Sequence, residues 1–438
     1  MCLDTDIGKY CEGALLGPQP QPDFRSNDRR ATLNSLIDTS RELPRRWLFL
    51  DGKGSLPLPE PIYFEQSKPF IDLTMDGLVL GILYWAMRNR IHLDVAGPMS
   101  RESLANILEL QTAIHSIHGP LYLPIDVVPQ MVVDPVEPLQ SAALSLFSGG
   151  VDSILTLLRH TSESALPVRS VLLIHHQELD RGEDYVDRLI NRTKPLLEEV
   201  GVDTLVQTTN LRHATSTTVM PGMGQRYFEC FGAQLSASLH QYAGHYGHGL
   251  TGSNEPYTKL VMEVGSTPAT DWLLSSSTMR IVHDGAAFTR TEKVAAIARH
   301  PTARKVVHVC LDHPFLNCGR CMKCVRTRMN FLAVGIDEPE CFDGSFDLAL
   351  IDQLKIKKVT TYLELVSILE SARKNGTTGA WSRRLASRLR WQGRGSIASN
   401  VRKGIALASQ AVANRRAPKA DPVVETPATR SRANTFNS

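Results

Sequence analysis

Apolar residues in the middle of the chain follow strand and helix spacings in alternation. Residues 143–147 and 168–174 are mainly apolar stretches of strand length, and each is followed by a segment with helical periodicity. The second run ends in four consecutive apolar residues, as expected when both faces of a strand are covered. Repeated β-α units of this kind predict an α/β fold with a doubly wound parallel sheet. The same pattern predicts helices over residues 153–160, 185–200, 226–242 and 292–299, and strands over residues 204–208, 249–251 and 305–310.

A smaller α/β domain is predicted ahead of this region. Strand candidates cover residues 47–50, 62–64 and 91–95, and helices are predicted over residues 76–90 and 101–117, the second with Ser100 as its N-cap. We predict a loose arm over residues 1–45, the N-terminal α/β domain over 46–140, the main α/β domain over 141–345, a helical segment over 346–372 and a basic, partly disordered tail over 373–438.

A glycine-containing loop directly follows the first strand of the main domain, and a helix is predicted to start there. Its residues are Ser148, Gly149, Gly150, Val151, Asp152 and Ser153. Free backbone N–H groups at a helix start favour an anion, and the two glycines allow a tight turn that a phosphate can approach. The two serines add hydroxyl donors. Asp152 cannot attract phosphate by charge, so it either anchors the loop or meets Mg²⁺.

The alternative for this loop is a plain glycine turn that caps a helix. The string is neither a Walker A sequence nor the Gly-x-Gly-x-x-Gly dinucleotide fingerprint. It resembles the signature of the PP-loop ATP pyrophosphatases. The resemblance implies that the loop grips the β,γ-pyrophosphate of ATP, that a substrate oxygen attacks the α-phosphate to form an adenylate, and that a nitrogen or sulfur nucleophile then displaces AMP.

Four cysteines crowd into a short stretch near residue 320. Cys310 ends a predicted strand, and Cys318, Cys321 and Cys324 follow with two-residue spacers. Such spacers let successive sulfurs converge on one ion, and four thiolates suit a structural, tetrahedral Zn²⁺ site. An Fe–S cluster is the rival interpretation, and free buried cysteines are the third.

This cluster is similar to the zinc site of the 7-cyano-7-deazaguanine synthases, which belong to the same superfamily. The resemblance covers roughly residues 142–335 and implies an adenine nucleotide α-hydrolase-like domain. Two further segments support it. Gly252-Ser253-Asn254 looks like the family's Gly-Ala-Asn segment near the α-phosphate, and residues 288–294 resemble its Thr-Lys-x-Glu-Ile stretch.

The stretch at residues 288–294 has a simpler interpretation as well. Thr289 and Glu292 also fit a capping box, which would make the stretch a helix start. Arg290 and Lys293 could neutralise phosphate charge in catalysis or lie on a solvated surface. The family's deazaguanine-binding segment has no match here. Residues 275–284 form a polar run instead, which suggests a different substrate pocket.

Charge is distributed unevenly along the chain. Residues 373–438 contain 14 Lys and Arg and two acidic residues, a net charge of +12, while the rest of the chain has a net charge of −9. An acidic body disfavours nucleic acid as a partner, although the tail could compensate. No apolar run reaches the ~20 residues that a membrane helix needs, and a cytoplasmic location is expected.

The expected function is that of a ligase-like ATP pyrophosphatase that uses ATP, Mg²⁺ and Zn²⁺. It would adenylate a small-molecule carboxylate or amide oxygen and install nitrogen from ammonia or another donor. A tRNA or small-molecule thiolation enzyme and a non-catalytic nucleotide-binding protein are the alternatives. Cys230 is interpreted either as a sulfur-carrying nucleophile or as a buried helix residue. The oligomeric state stays open, with a homodimer as one candidate.

Overall fold

The computed structural model describes residues 29–52, 60–71, 74–134, 141–175, 184–216, 227–313 and 316–392. Its strands are β1 Arg29–Asp38, β2 Arg45–Asp51, β3 Ile62–Gln66, β4 Ile91–Ser100, β5 Val127–Val133, β6 Ala143–Leu146, β7 Val168–His175, β8 Asp203–Thr209, β9 His248–Gly252 and β10 Arg280–Asp284. Its α-helices are α1 Asp76–Asn89, α2 Arg101–His118, α3 Val151–Arg159, α4 Tyr185–Glu199, α5 Leu211–Ser216, α6 Tyr227–His240, α7 Arg290–Ala298, α8 Pro301–Val306, α9 Met322–Ala333, α10 Ala349–Asp352, α11 Val359–Asn375 and α12 Ala380–Gln392.

The ten strands of the described residues form one mostly parallel sheet. Its order is β10-β9-β6-β7-β8-β3-β2-β1-β4-β5. The five strands from β10 to β8 run parallel to one another, as do β1, β4 and β5. Three antiparallel pairings, through β3 and β2, join these two parallel groups.

The junction between β3 and β8 connects the N-terminal strands to the later ones. Phe64 pairs with Thr209 in this register, and the Thr209 hydroxyl donates to the Tyr63 carbonyl at 2.6 Å. The Asn210 side chain accepts from the Tyr63 N–H at 2.9 Å. The predicted domain border near residue 140 falls between β5 and β6, so the sheet continues across it, and the domain division stays a prediction.

Apolar side chains of β7 alternate between two hydrophobic clusters. Val171 and Leu173 pack into a cluster with residues of α3, α4 and α7. Leu172 packs into the other cluster, which contains residues of α1 and α6. Since successive side chains of a strand point to opposite faces, both faces of this part of the sheet are covered by helices. The apolar run that the sequence shows at β7 has this cause.

The chain divides into two compact units, Met1–Ala386 and Ser387–Ser438. Of the second unit, the structure describes only the end of α12. The predicted helical segment over 346–372 contains α10 and most of α11. The predicted tail over 373–438 begins inside α11, and its residues 393–438 lie outside the described part of the chain. In the described part of the chain, no helix combines the length and the hydropathy that a membrane span requires.

Two sequence predictions are wrong in the described residues. The loose arm was expected to reach residue 45, but β1 lies within it because buried Ala31 and Leu33 alternate with polar neighbours between β2 and β4. Residues 305–310 were expected to form a strand. They instead contain the end of α8, whose first residue is Pro301 and whose N-cap His300 accepts from the Ala303 N–H at 3.3 Å. A proline at the first position and a capped start favour the helix.

The polar run at residues 275–284 ends in a strand that the sequence pattern did not predict. β10 pairs in parallel with β9 along its whole length. The serines that precede β10 are buried, and the Ser275 hydroxyl accepts from the Ile281 N–H at 3.0 Å. Much of the polar character that suggested a substrate pocket therefore serves the local turn.

Candidate functional site

The loop between β6 and α3 turns at Gly149, which has a φ of +67°. A Cβ atom at this position would lie 2.8 Å from the Leu189 side chain, so only glycine fits without a shift. Its carbonyl accepts from the His308 N–H at 2.8 Å. Gly150 is the N-cap of α3 in an extended conformation. The loop thus brings the N-terminus of α3 to the carboxyl edge of the sheet, where such folds bind ligands.

The two loop serines have different surroundings. The Ser153 hydroxyl accepts from the Ser148 N–H at 3.3 Å and donates to the Gly150 carbonyl at 3.2 Å, so it stabilises the turn itself. The Ser148 hydroxyl lies 3.5 Å from it and borders an open cleft. Gly150, Val151 and Asp152 border the same cleft.

Two cations from α7 converge on the loop carboxylate. Arg290 Nη1 lies 2.6 Å from Asp152 Oδ2, and Lys293 Nζ lies 3.0 Å from Asp152 Oδ1. Lys293 also donates to the Ser253 carbonyl, and its side chain is 1% exposed. Burial would raise the pKa of Asp152, but Arg290 and then Lys293 outweigh it, so this pKa lies below its ordinary value. Asp152 therefore anchors the loop, the first of its two predicted roles.

The Gly252-Ser253-Asn254 segment follows β9 and packs against the start of α3. A Cβ atom on Gly252 would lie 2.9 Å from the carbonyl carbon and oxygen of Asp152, so a side chain would push the two backbones apart. The Ser253 N–H donates to the Asp284 carbonyl at 2.7 Å. Asn254 is exposed and borders the cleft. Of the three, Asn254 is the residue whose side chain is available to a ligand.

Helix α7 starts with the capping box that the sequence predicted. The Thr289 side chain accepts from the Glu292 N–H, and the Glu292 carboxylate accepts from the Thr289 N–H at 2.9 Å. The alternative interpretation of this stretch as a helix start is thus confirmed. The same helix start carries Arg290 and Lys293 to Asp152, so these two residues do not lie on a solvated surface.

A cleft of about 480 Å³ opens over the loop. Its walls come from the loop, the turn after β9, and from α6, α7, α9 and α11. The lining residues include Ser148, Gly150, Val151, Asp152, Tyr185, Tyr227, Phe228, Phe231, Asn254, Glu255, Pro256, Lys259, Val264, Arg290, His308, Val309, Cys310, Leu311, Lys323, Arg326, Thr360, Leu363, Glu364 and Ser367. This volume suits a small molecule of nucleotide size.

Two walls of the cleft were missed by sequence reasoning. One is aromatic and comes from α6, where Phe228 is 39% exposed. The other comes from α11, which lies beyond the part of the chain that carries the family resemblance. Arg326 Nη1 lies 2.5 Å from Glu364 Oε2, and Lys259 Nζ donates to the Ser367 hydroxyl at 2.6 Å, so polar contacts hold α11 at the cleft. No motif marks either wall, because each is assembled from separate segments.

Glu255 contributes a carboxylate to the cleft. Burial raises its pKa above the ordinary value, and a hydrogen bond from the Val261 N–H to its Oε2, at 2.9 Å, opposes this rise. A carboxylate with a raised pKa in a ligand-sized cleft is a candidate for proton transfer.

The four predicted cysteines lie together, and one of them, Cys310, lines the cleft. The sulfur atoms of Cys310, Cys318, Cys321 and Cys324 all lie within 4.8 Å of one another. Cys310 and Cys321 are 3.9 Å apart, and Cys318 and Cys324 are 4.0 Å apart. A tetrahedral ion with Zn–S bonds of ~2.3 Å places its sulfurs ~3.8 Å apart. The cluster could therefore hold a metal ion such as zinc.

Backbone N–H groups point at sulfur atoms of the cluster. The Cys321 N–H points at the Cys318 sulfur at 3.2 Å, and the His313 N–H points at the Cys310 sulfur at 3.2 Å. Cys321 is also the N-cap of α9, where the positive helix end stabilises negative charge. Gly319 has a φ of +71°, which permits the tight turn between the first two cysteines of the motif.

Cys230 lies in α6 and does not border the cleft. Its side chain is 1% exposed, and its sulfur lies 3.7 Å from the Tyr227 carbonyl. The interpretation as a buried helix residue fits this position. Within the described residues, Cys310 is the cysteine that lines the cleft, and it belongs to the four-cysteine cluster.

A comparison of the chain with protein families, curated proteins and solved structures finds no match. The resemblance to PP-loop enzymes therefore rests on the loop and cysteine motifs of the sequence.

Proposed function

We propose that this protein is an ATP pyrophosphatase that adenylates a small-molecule carboxylate or amide oxygen and then installs nitrogen. The observation that carries the proposal is the loop at residues 148–153, which joins the carboxyl end of β6 to the N-terminus of α3 and borders a nucleotide-sized cleft. A helix N-terminus with free N–H groups favours a phosphate group. The 7-cyano-7-deazaguanine synthases are the enzymes whose motifs it most resembles.

In the proposed reaction the loop holds the β,γ-pyrophosphate of ATP. The acceptor oxygen forms a bond to the α-phosphorus, and the bond from that phosphorus to the bridging oxygen breaks, so pyrophosphate leaves with the electron pair. Arg290 and Lys293 carry two positive charges against the single charge of Asp152, so the loop region has a surplus that offsets phosphate charge. Asn254 borders the same cleft, and in this proposal its side chain would donate to the α-phosphate.

The second step replaces AMP by nitrogen. Ammonia or another amine attacks the activated carbon, a C–N bond forms, AMP leaves, and the nitrogen loses a proton. Glu255 is the candidate acceptor for that proton, because it lines the cleft and burial raises its pKa. Nitrogen is favoured over sulfur, because the cysteine that lines the cleft in the described residues belongs to the metal-ligand set.

The finer structural assignments belong to the same proposal. Helices on both faces of β7 support a doubly wound, adenine nucleotide α-hydrolase-like domain. The sulfur separations support Zn²⁺ as the structural ion, held by the four cysteines. Mg²⁺ would enter with ATP and neutralise phosphate charge. Both oxygens of Asp152 already contact cations, so Asp152 would have to give up one of these contacts to bind it.

The test is product analysis with the purified full chain. The protein is incubated with ATP, Mg²⁺, ammonium and a panel of small carboxylic acids, and nucleotides are separated by chromatography while phosphorus products are followed by NMR. We expect AMP and pyrophosphate, in equal amounts, only when an acceptor is present. ADP and phosphate would contradict the proposal.

One change of reagent and one binding result separate the alternatives. Replacing ammonium with a sulfide donor should abolish the final product while leaving adenylate formation. Product formation with sulfide alone would identify a thiolation enzyme. Tight binding of ATP without turnover on any acceptor of the panel would support a non-catalytic nucleotide-binding protein.

A further inference from the structure

A short segment at residues 307–310, the connector, contacts the phosphate loop and the cysteine cluster. The His308 N–H donates to the Gly149 carbonyl at 2.8 Å. Two residues later, Cys310 contributes its sulfur to the cluster, 3.9 Å from that of Cys321. The connector is neither helix nor strand in the structure. Its position therefore depends on the groups that hold it from outside.

Asn317 holds the connector together with Arg192, whose Nη2 donates to the Val307 carbonyl at 3.1 Å. The Asn317 Oδ1 accepts from the Val309 N–H at 2.8 Å, and its Nδ2 donates to the carbonyls of Val307 and Cys341, each at 2.8 Å. Asn317 is 6% exposed. Asn317 directly precedes Cys318. It therefore contacts the connector and also adjoins the Cys318–Cys324 segment, which carries the other three cysteines of the cluster.

We infer that the connector couples metal occupancy to the phosphate loop and that Asn317 is the positioning residue of this coupling. The inference rests on the proposed function, because it takes the ligand of the loop to be a phosphate chain. A bound ion would hold the sulfur of Cys310 and the sulfurs of the Cys318–Cys324 segment around one point. Without the ion, four sulfurs within 4.8 Å lose their common partner. The connector then keeps its hydrogen bonds to Asn317 and Arg192 and its apolar packing, but it loses the constraint at Cys310.

A movement of the connector would reach the phosphate loop through the hydrogen bond to the Gly149 carbonyl. The Gly149 carbonyl accepts from the connector at a residue with a positive φ, where the backbone has little freedom to find another partner. When the connector moves, the N–H groups of the loop turn away from the orientation that a pyrophosphate needs. Metal binding and nucleotide binding should therefore favour each other, as linkage requires of two coupled sites.

The first experiment compares zinc-loaded and metal-free full chain under reducing conditions. The probe is the Mg²⁺ complex of a non-hydrolysable ATP analogue, titrated by calorimetry, with circular dichroism to confirm that both samples are folded. We expect the metal-free protein to bind at least about tenfold more weakly, within the usual range of coupling between sites. Hydrogen exchange at residues 147–153 should rise at the same time. Equal affinities of two folded samples would overturn the inference.

The outcome for the proposed function is separable in the same experiment. If the zinc-loaded protein does not bind the analogue, the proposed function fails. If it binds and metal makes no difference, only the coupling fails. If the metal-free chain unfolds, the coupling is tested instead with variants that keep zinc bound.

A matched pair of variants at residue 308 tests the connector itself. His308→Pro and His308→Ala both lack the imidazole, but only the proline lacks the N–H that Gly149 accepts from. Val307 has φ −47° and ψ 126°, a conformation that a following proline tolerates. With one zinc per chain in both, we expect His308→Pro to bind the analogue at least about tenfold more weakly than His308→Ala. Equal binding would overturn the role of this hydrogen bond.

A second pair tests Asn317 as a positioning residue. Asn317→Ala removes the three contacts to the connector and Cys341. Gln207→Ala removes a similarly buried amide that does not line the cleft and is hydrogen-bonded to Gln66 and Ser238. The visible spectrum of the cobalt-substituted protein reports the sulfur geometry. We expect Asn317→Ala, and not Gln207→Ala, to change this spectrum and to weaken binding of the ATP analogue. Equal changes in both variants, or none in Asn317→Ala, would reduce Asn317 to general structural support.

Discussion

The ammonium of Lys293 lies 3.0 Å from Asp152 Oδ1, although the two residues are 141 positions apart in the chain. Lys293 is 1% exposed and Asp152 is 17% exposed, so the contact is largely shielded from water. Without Lys293, Asp152 keeps its contact to Arg290 at 2.6 Å, so its charge stays partly compensated. We expect Lys293→Met to lower the free energy of unfolding by about 1–3 kcal/mol in urea denaturation, the cost of a lost hydrogen bond to a charged group. Lys194→Met, which removes an exposed pair with Glu198, should change it by less than about 1 kcal/mol.

The same pair predicts a pH dependence with a definite sign. Arg290 and Lys293 hold the pKa of Asp152 below its ordinary value against the effect of burial. A lowered folded-state pKa contributes stability above the unfolded pKa, about 3.9, and this contribution is lost as pH falls through the folded pKa. The difference in unfolding free energy between wild type and Lys293→Met should be largest above about pH 4 and shrink below it. The pKa of Asp284 is also lowered, but its contribution to stability is the same in both proteins and cancels in the difference.

The measurement for this prediction is urea denaturation of both proteins across the acid range. A difference in unfolding free energy that stays constant as the pH falls would show that the contact does not favour the ionised carboxylate. A difference that grows on acidification would contradict the sign of the lowered pKa.

Gly149 should tolerate no side chain. Gly149→Ala forces a Cβ into the left-handed region, which costs about 1–2 kcal/mol, and brings it to 2.8 Å from Leu189. We expect a loss of stability above the backbone cost alone and at least a tenfold loss of affinity, on the order of 1.4 kcal/mol, for the ATP analogue. Calorimetric titration and urea denaturation measure the two effects.

Gly201 provides the matched control for this variant. Its φ is +66°, almost the same as that of Gly149, and no atom lies within 4 Å of a Cβ built there. Gly201→Ala should therefore show the backbone cost without the clash and without a change in nucleotide affinity. If both alanine variants behave alike, neither the Leu189 contact nor the loop position matters.

The cysteine cluster should hold one metal ion per chain. Cys321→Ser removes a sulfur whose neighbour Cys310 lies 3.9 Å away, and we expect elemental analysis to find the metal lost and the melting temperature lowered. Cys230→Ala removes a buried thiol outside the cluster and should keep the metal. Zinc in the wild-type protein would fit the sulfur geometry. Iron together with brown visible absorption would instead identify an Fe–S cluster.

The contact between Arg326 and Glu364 should stabilise the packing of α11 at the cleft. Their side chains are 17% and 19% exposed and 2.5 Å apart. We expect Glu364→Gln, which removes the charge at similar size, to lower the free energy of unfolding by about 1–3 kcal/mol. The exposed pair of Arg384 and Asp352 gives the control, because Asp352→Asn should cost no more than about 1 kcal/mol. Equal losses in the two variants would show that burial does not strengthen the contact at α11.

Local signals in the sequence determined much of the site. The apolar run before Ser148 predicted β6, and α3 begins at Val151, two residues before its predicted start. Ser100 caps α2 as expected, accepting from the Ser103 N–H at 3.1 Å. The spacing of the last three cysteines placed their sulfurs in one cluster. Each of these features depends on residues that are close in the chain, and side-chain periodicity, helix capping and short turns are properties of such neighbours.

Contacts between distant segments were decided only by the tertiary structure. No local pattern indicates that β3 pairs with β8, that α11 forms a wall of the cleft, or that α7 carries Arg290 to Asp152. Cys310 reaches the cluster from a connector, where local apolar alternation had predicted a strand. These positions depend on which apolar faces pack together and which buried charges find partners. Such choices lower the free energy of the whole fold, and a short stretch of sequence carries no record of them.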